Sequence, residues 1–181
     1  LSSSQYVSQF NSNGFNYGVA GDVTNNSSLV GWCWKAGGNS NTYNINDIGY
    51  ATASAAGLTA GSITPTGASV NTKSGFSIIT YTGTNANATI SHGLGNVPAF
   101  IIAKSRDTSS WNWIVYHKDI GVSDYLALES TQGSDTRFAN IWGSGHTTSV
   151  FGVRTGYSNN PNGERMVAYC WAEIPGFSKF G

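Results

Sequence analysis

Residues 75–105, GFSIITYTGTNANATISHGLGNVPAFIIAKS, restrict the fold more than any other stretch. Within them the runs FSIITYT, ATIS and AFIIAKS, rich in β-branched and aromatic residues, are cut apart by Gly, Asn and Pro. Such runs suit the half-buried surface of a pleated strand, and the residues between them supply turn backbone. The same grammar continues to the C-terminus, while helical spacing of apolar residues is almost missing. The nearest helical candidate, 48–58, is Ala-rich but has no apolar stripe and is bounded by Gly57 and Gly61, so it reads as a loop with room for one helical turn.

Strands are expected at 28–35, 75–82, 88–91, 99–105, 111–117, 125–128, 137–141, 149–153 and 166–174. About nine short strands at this spacing predict an all-β fold, an antiparallel β-sandwich with long polar loops and little helix. Alternation sets Ile79 and Tyr81 opposite Ile78, Thr80 and Thr82, and sets Trp111, Trp113 and Val115 opposite Asn112, Ile114 and Tyr116. Large apolar groups on both faces of 111–117 predict a central strand. Long loops are expected at 37–74 and 157–164, the second marked by Asn160-Pro161 and Asn162-Gly163.

One β-sandwich domain is expected over 28–181. Residues 1–27, where Tyr6, Phe10, Phe15 and Tyr17 are scattered among Ser, Asn and Gly, read as an arm or the end of a preceding region, pairing with an edge of this domain or with a neighbouring subunit. Gly75-Phe76-Ser77 returns as Gly176-Phe177-Ser178, which predicts another strand opening near the C-terminus.

A chain of 181 residues suits one domain with a single core. Charged residues are only 10%, and nine cationic side chains balance nine acidic ones, so there is no electrostatic footprint for nucleic acid or anionic lipid. Aromatic residues at 13% argue against disorder. The opening LSSSQYVSQF has no Met, basic region or apolar run; neither a signal peptide nor a membrane-spanning helix is expected, and a cut precursor or a fragment of a longer polypeptide is.

Catalytic chemistry finds little support. His92, His117 and His146 are not accompanied by a GxSxG elbow, and His92 sits in a Gly- and Pro-marked connection, which predicts a structural turn role. Cys33, Cys170 and the histidines lack the close pairing of a zinc site, and no DxDxDG calcium loop occurs. No cofactor is expected. Sequence spacing singles out no pair among the nine acids for glycoside hydrolysis. Carbohydrate binding fits better, because sugar CH faces stack on indole or phenol rings and hydroxyls pair with Asn or His. The candidates are Trp111, Asn112, Trp142, His146, Tyr157, Asn159 and Asn160, weighed against the common fate of Trp as core.

Each of the two cysteines lies between aromatics: Trp32-Cys33-Trp34 near the start and Tyr169-Cys170-Trp171 near the end. As strands, both would place the aromatics on one face and the thiol on the other. The echo predicts two adjacent strands whose aromatics pair and whose cysteines meet. A Cys33–Cys170 disulfide is left open, since it needs Cα atoms within about 7 Å.

GWCWKAGG, GLGNVPAFIIAK at 93–104, NWIVYH at 112–117, TTSVFGV and AYCWAEIPGFSKFG at 168–181 together resemble an uncharacterised domain of marine bacteriophage tail-fibre and other virion proteins, often found beside LamG-like domains. The resemblance covers roughly 28–181. It implies a virion protein, extracellular after release, without assigned catalytic residues. It also implies a homo-oligomer, with a trimer favoured, and a bacterial surface glycan or receptor as partner. Two functions follow as expectations: host-surface adhesion, or self-assembly of a fibre without a ligand site of its own. A polysaccharide-degrading enzyme is the weaker alternative.

Overall fold

The computed structural model describes residues 7–12, 14–17, 31–131, 133–134, 140–155 and 158–181. Tyr157, positions 28–30 of the first expected strand and 137–139 of another lie outside the described residues. The chain divides into two units, Leu1–Cys33 and Trp34–Gly181. In the first, β1 (Val7–Asn11) and β2 (Gly14–Tyr17) form an antiparallel hairpin that sets Phe10 opposite Phe15.

The second unit holds β3 (Tyr43–Ile45), β4 (Ile48–Tyr50), β5 (Gly67–Asn71), β6 (Phe76–Thr82), β7 (Ala88–Ser91), β8 (Pro98–Ser105), β9 (Ile114–His117), β10 (Leu126–Ala127), β11 (Val150–Val153) and β12 (Arg165–Ala172). Eight of these form one sheet in the order β10-β9-β8-β12-β6-β5-β3-β4, antiparallel except for the parallel β3–β5 pair; β7 and β11 form a second, two-stranded sheet. The fold is all-β, with no helix among the described residues.

Period-two alternation decides which side of the large sheet is dry. Met166, Ala168 and Cys170 of β12, Ile79 and Tyr81 of β6, Ile101 and Ala103 of β8 and Ile114 of β9 are buried on one face. Ile90, Phe151 and Val153 of the small sheet join the same core, and Phe151 meets Tyr81 edge-on with centroids 6.0 Å apart. The arrangement is compatible with a sandwich whose second layer is β7, β11 and loops.

Several expectations change. The 111–117 segment is not central: β9 is next to the sheet edge, bordered only by the two-residue β10. It is apolar on both sides because the outer face of the sheet is aromatic as well. The 37–74 stretch is not one loop but carries β3, β4 and β5, signalled weakly because two of these have three residues each. Their hairpin turns on Asn46 and Asp47, at φ 51° and 69°, residue types that tolerate left-handed backbone.

The Ala-rich segment supplies the single helical turn: the Thr52 hydroxyl accepts the Ala55 N–H, and left-handed Gly57 closes the turn with Gly57 N–H to Ser54 and Leu58 N–H to Ala53. Residues 176–178 do not open a strand. Ile174 bridges Ser178 across a tight turn with Gly176 at φ 76°.

The first aromatic–Cys–aromatic stretch is no strand either, since 31–36 have no regular structure. Nor is there room beside β12, which has β6 on one side and β8 on the other. Cys33 is exposed and Cys170 is buried, each with a free thiol. The aromatic half of the echo does exist: Trp34 packs on Trp171 as part of an irregular strap. The strap is fastened by Lys35 to Asp47 at 2.8 Å and by the Gly37 N–H to the Ser69 hydroxyl at 2.8 Å. A Cβ on Gly37 would lie 1.6 Å from the Asn44 carboxamide oxygen, so only glycine brings the strap this close.

Candidate functional site

The outer face of the large sheet is ordered in cross-strand rows. His117, Phe100, Trp171 and Phe76 run side by side across β9, β8, β12 and β6; the next row is Val115, Ile102, Tyr169 and Ile78; the next begins Lys104, Val167, Thr80. Such neighbours touch because directly opposed residues in a ladder bring their Cβ atoms within about 5.5 Å. The first row is closed over. Trp34 covers Trp171 and Phe76, and Phe180 stacks on Phe100 with centroids 5.9 Å apart and planes 9° apart.

The far end is open. A surface cavity of about 520 Å³ is lined by Lys104, Arg106, Asp107, Trp113, Val167 and Tyr169, among others. Val167 is buried at its floor, Tyr169 is half-buried, and Trp113, just before β9, is 36% exposed. Aromatic surface is therefore available to a ligand here.

One wall of the cavity is the connection between β8 and β9, and its polar groups brace each other. The Ser105 hydroxyl accepts the N–H groups of Asp107 (3.1 Å) and Thr108 (3.0 Å) and donates to Glu164. Glu164 also accepts the Thr108 hydroxyl at 2.7 Å and the Trp111 indole N–H at 3.0 Å. The Lys104 ammonium donates to three carbonyls, those of Thr108, Ser109 and Trp111. Asp107 accepts the backbone N–H and Nε–H of Arg165, each at 2.7 Å. Behind Trp113, the carboxylate of Glu129 accepts its backbone N–H.

These contacts set the ionisation of the wall. The Ser105 hydroxyl, then the Thr108 hydroxyl and the Trp111 indole N–H, hold the Glu164 carboxyl below the usual range; the Arg165 guanidinium does the same for Asp107. Both remain anionic at neutral pH and serve as acceptors that fix the loop. A wall held this way loses little freedom when a ligand arrives.

The family model described as "Domain of unknown function (DUF7483)" matches residues 1–181. The chain belongs to this family. Its match takes in residues 1–27, which the motif resemblance leaves aside. Searches of curated proteins and of solved structures found no match.

Within this DUF7483 domain the sequence-derived candidates do not converge. Trp111 and Asn112 are exposed in the loop that walls the cavity, Trp111 with its indole N–H committed to Glu164. Trp142 is fully buried against Tyr116, centroids 5.8 Å apart, and is core rather than platform. His146 is wedged between Tyr116 at 4.1 Å and Trp142 at 5.6 Å, its Nδ1 accepting the Gly152 N–H and its Nε2 enclosed without a partner; burial pushes its pKa down to about 3.

Asn159 and Asn160 are also fully buried. The Asn159 carboxamide donates to Ile141 O, while Asn160 accepts Thr84 N–H at 2.9 Å and donates to Ala86 O at 2.6 Å. Turn-type residues here pin the β6–β7 connection instead of facing a ligand. Tyr157 lies outside the described residues. His92 has the expected structural role, buried with Nδ1 accepting Leu94 N–H and Nε2 on Thr147 O.

Trp113, Tyr169, Lys104 and Arg106 were missed. Alternation already grouped Trp113 with Trp111 and Val115, and set Tyr169 opposite Cys170. What alternation lacks is which strands lie side by side, and only that brings Trp113 and Tyr169 to one cavity.

Proposed function

We propose that this domain is a non-enzymatic glycan-adhesion module whose ligand surface is the open end of the outer face, at Trp113, Tyr169 and the β8–β9 wall. The observation that carries this reading is the coincidence of an exposed and a half-buried aromatic ring, Trp113 and Tyr169, with a braced polar wall around one open cavity. A pyranose offers an apolar CH face to such rings and hydroxyls to the surrounding polar groups. Binding is favoured over hydrolysis because a glycosidase needs one carboxyl kept protonated, whereas Asp107 and Glu164 are both held ionised by their partners. The motif resemblance supplies the biological setting of this proposal: a tail-fibre or appendage protein of a bacteriophage virion, homo-oligomeric with a trimer favoured, meeting a bacterial surface glycan.

The test is a glycan array that includes bacterial surface polysaccharides, repeated with Trp113→Ala and Tyr169→Ala. Each variant is expected to lose about tenfold in affinity for the bound glycan. A folded wild-type chain that bound none of them would overturn the reading.

Self-assembly is the second reading, and it has its own observation: Trp34 at 44% and Phe177 at 66% exposure are large apolar side chains open to solvent. Strand addition is the weaker route to it, because the edge strands β10 and β4 have only two and three residues. Mass measured over a range of concentrations for wild type and for Trp34→Ser with Phe177→Ser separates the readings; an unchanged oligomer would remove these residues from any interface.

A further inference from the structure

The five charged side chains on and around the cavity are not equally available. Asp107 is spent on Arg165, with contacts at 2.7 Å from Nε and 2.5 Å from Nη2. Glu164 is saturated by Ser105, Thr108 and Trp111. Lys104 directs its donors to three loop carbonyls. Arg106 alone is different: its backbone N–H is bonded to Arg165 O, but its exposed guanidinium makes no hydrogen bond or ion pair with any described residue and feels only a longer-range attraction to Asp107. It lines the same cavity as Trp113 and Tyr169.

We infer that the site takes an acidic saccharide, with the sugar ring on Trp113 and Tyr169 and its carboxylate or sulfate on the Arg106 guanidinium. This rests on the glycan reading above and narrows its ligand class. A planar guanidinium offers paired donors that match two oxygens of either anion. Lys104 does not compete for the anion, because its ammonium hydrogens already point at carbonyls. Asp107 does not repel it strongly, because Arg165 neutralises that carboxylate.

A second cavity, of about 480 Å³, is lined by Ser62, Asn87, Thr89, Asn140 and Arg154, among others. It also contains an arginine, yet no aromatic side chain lines it among the described residues. Arg154 therefore serves as the control.

The experiment is calorimetric titration of the full chain with length-matched oligomers of galacturonate, sulfated galactose and neutral galactose, at low and high salt. Wild type is expected to bind at least one acidic oligomer about fivefold or more tighter than the neutral one, with the advantage fading at high salt. Arg106→Gln is expected to erase that advantage, Arg154→Gln to preserve it, and Trp113→Ala to weaken all binding. Equal affinity for neutral and acidic oligomers, or a preference that survives Arg106→Gln or vanishes with Arg154→Gln, overturns the inference while leaving the glycan reading intact. Absence of binding to every oligomer and to the wider array removes both. Arg106 is exposed, so circular dichroism of Arg106→Gln is expected to match wild type.

Discussion

Trp34 and Trp171, one from each aromatic–Cys–aromatic stretch, meet edge to face with ring centroids 5.4 Å apart and planes 71° apart. They do so although only the second lies in a strand. The contact joins a wider cluster, since Trp171 also lies 4.9 Å from Phe76 and 5.3 Å from Phe100. Side-chain packing, without backbone pairing, ties the Trp34 strap to the sheet.

Trp34→Ala is therefore expected to destabilise the Trp34–Gly181 unit by about 1–2 kcal/mol, the sum of one aromatic pair and partial apolar burial. Urea unfolding followed by fluorescence measures it. A midpoint shift no larger than that of an exposed control such as Trp32→Ala would show that the strap contributes nothing to stability.

The two thiols differ in access. Burial pushes the Cys170 thiol up, far from its reactive range, while Cys33 is exposed. Alkylation of the native chain under non-reducing conditions should label Cys33 alone, and denaturant should release the second site. Mass spectrometry finding no free thiol after denaturation would mean that a disulfide forms after all.

Acid should loosen the core beneath the small sheet. Burial lowers the pKa of His146 to about 3 and also lowers that of His92, while both imidazoles in the unfolded chain titrate near 6.5. Below pH 6.5 the unfolded chain then binds more protons than the folded one, so stability is full above that pH and falls as pH drops toward the folded values. From pH 6.5 to about pH 4 the expected loss is about 3 kcal/mol from His146, with His92 adding to it, before the carboxylates held low by Lys118, Ser105 and Arg165 begin to add theirs. His146→Gln should flatten the curve in that window; an equally steep curve would assign the acid sensitivity to other groups.

Asn160→Ala should cost about 1–2 kcal/mol, because it removes the buried carboxamide that joins Thr84 N–H to Ala86 O. Thermal unfolding reads the loss. Amide exchange should rise first at Thr84, and protection there equal to wild type would mean that water replaces the carboxamide.

Local pattern carried far in this chain. The strand 88–91 occurs with the expected bounds, β6, β8, β11 and β12 fall within a few residues of theirs, and the opposed faces of β6 place Ile79 and Tyr81 inside as alternation requires. A two-residue period is a local property and survives in the sequence. The same local reasoning failed over 31–35 of the strand expected at 28–35, where Trp and Cys mimic strand spacing but the contact is made by side chains alone. It also misjudged Trp142, Asn159 and Asn160, whose residue types suit an exposed loop as well as a buried one.

Pairing was settled elsewhere. Composition and alternation by themselves determine that this is an all-β chain in which Ile79 and Tyr81 share a face opposite Ile78, Thr80 and Thr82, and Cys170 lies opposite Tyr169 and Trp171. They do not determine that β12 lies between β6 and β8, that β3 and β5 run parallel, or that Trp113 and Tyr169 share a cavity with Arg106. Those relations join residues dozens of positions apart. Their free energy comes from rows of side chains that become neighbours only once the whole sheet has closed, so no short window of sequence contains them.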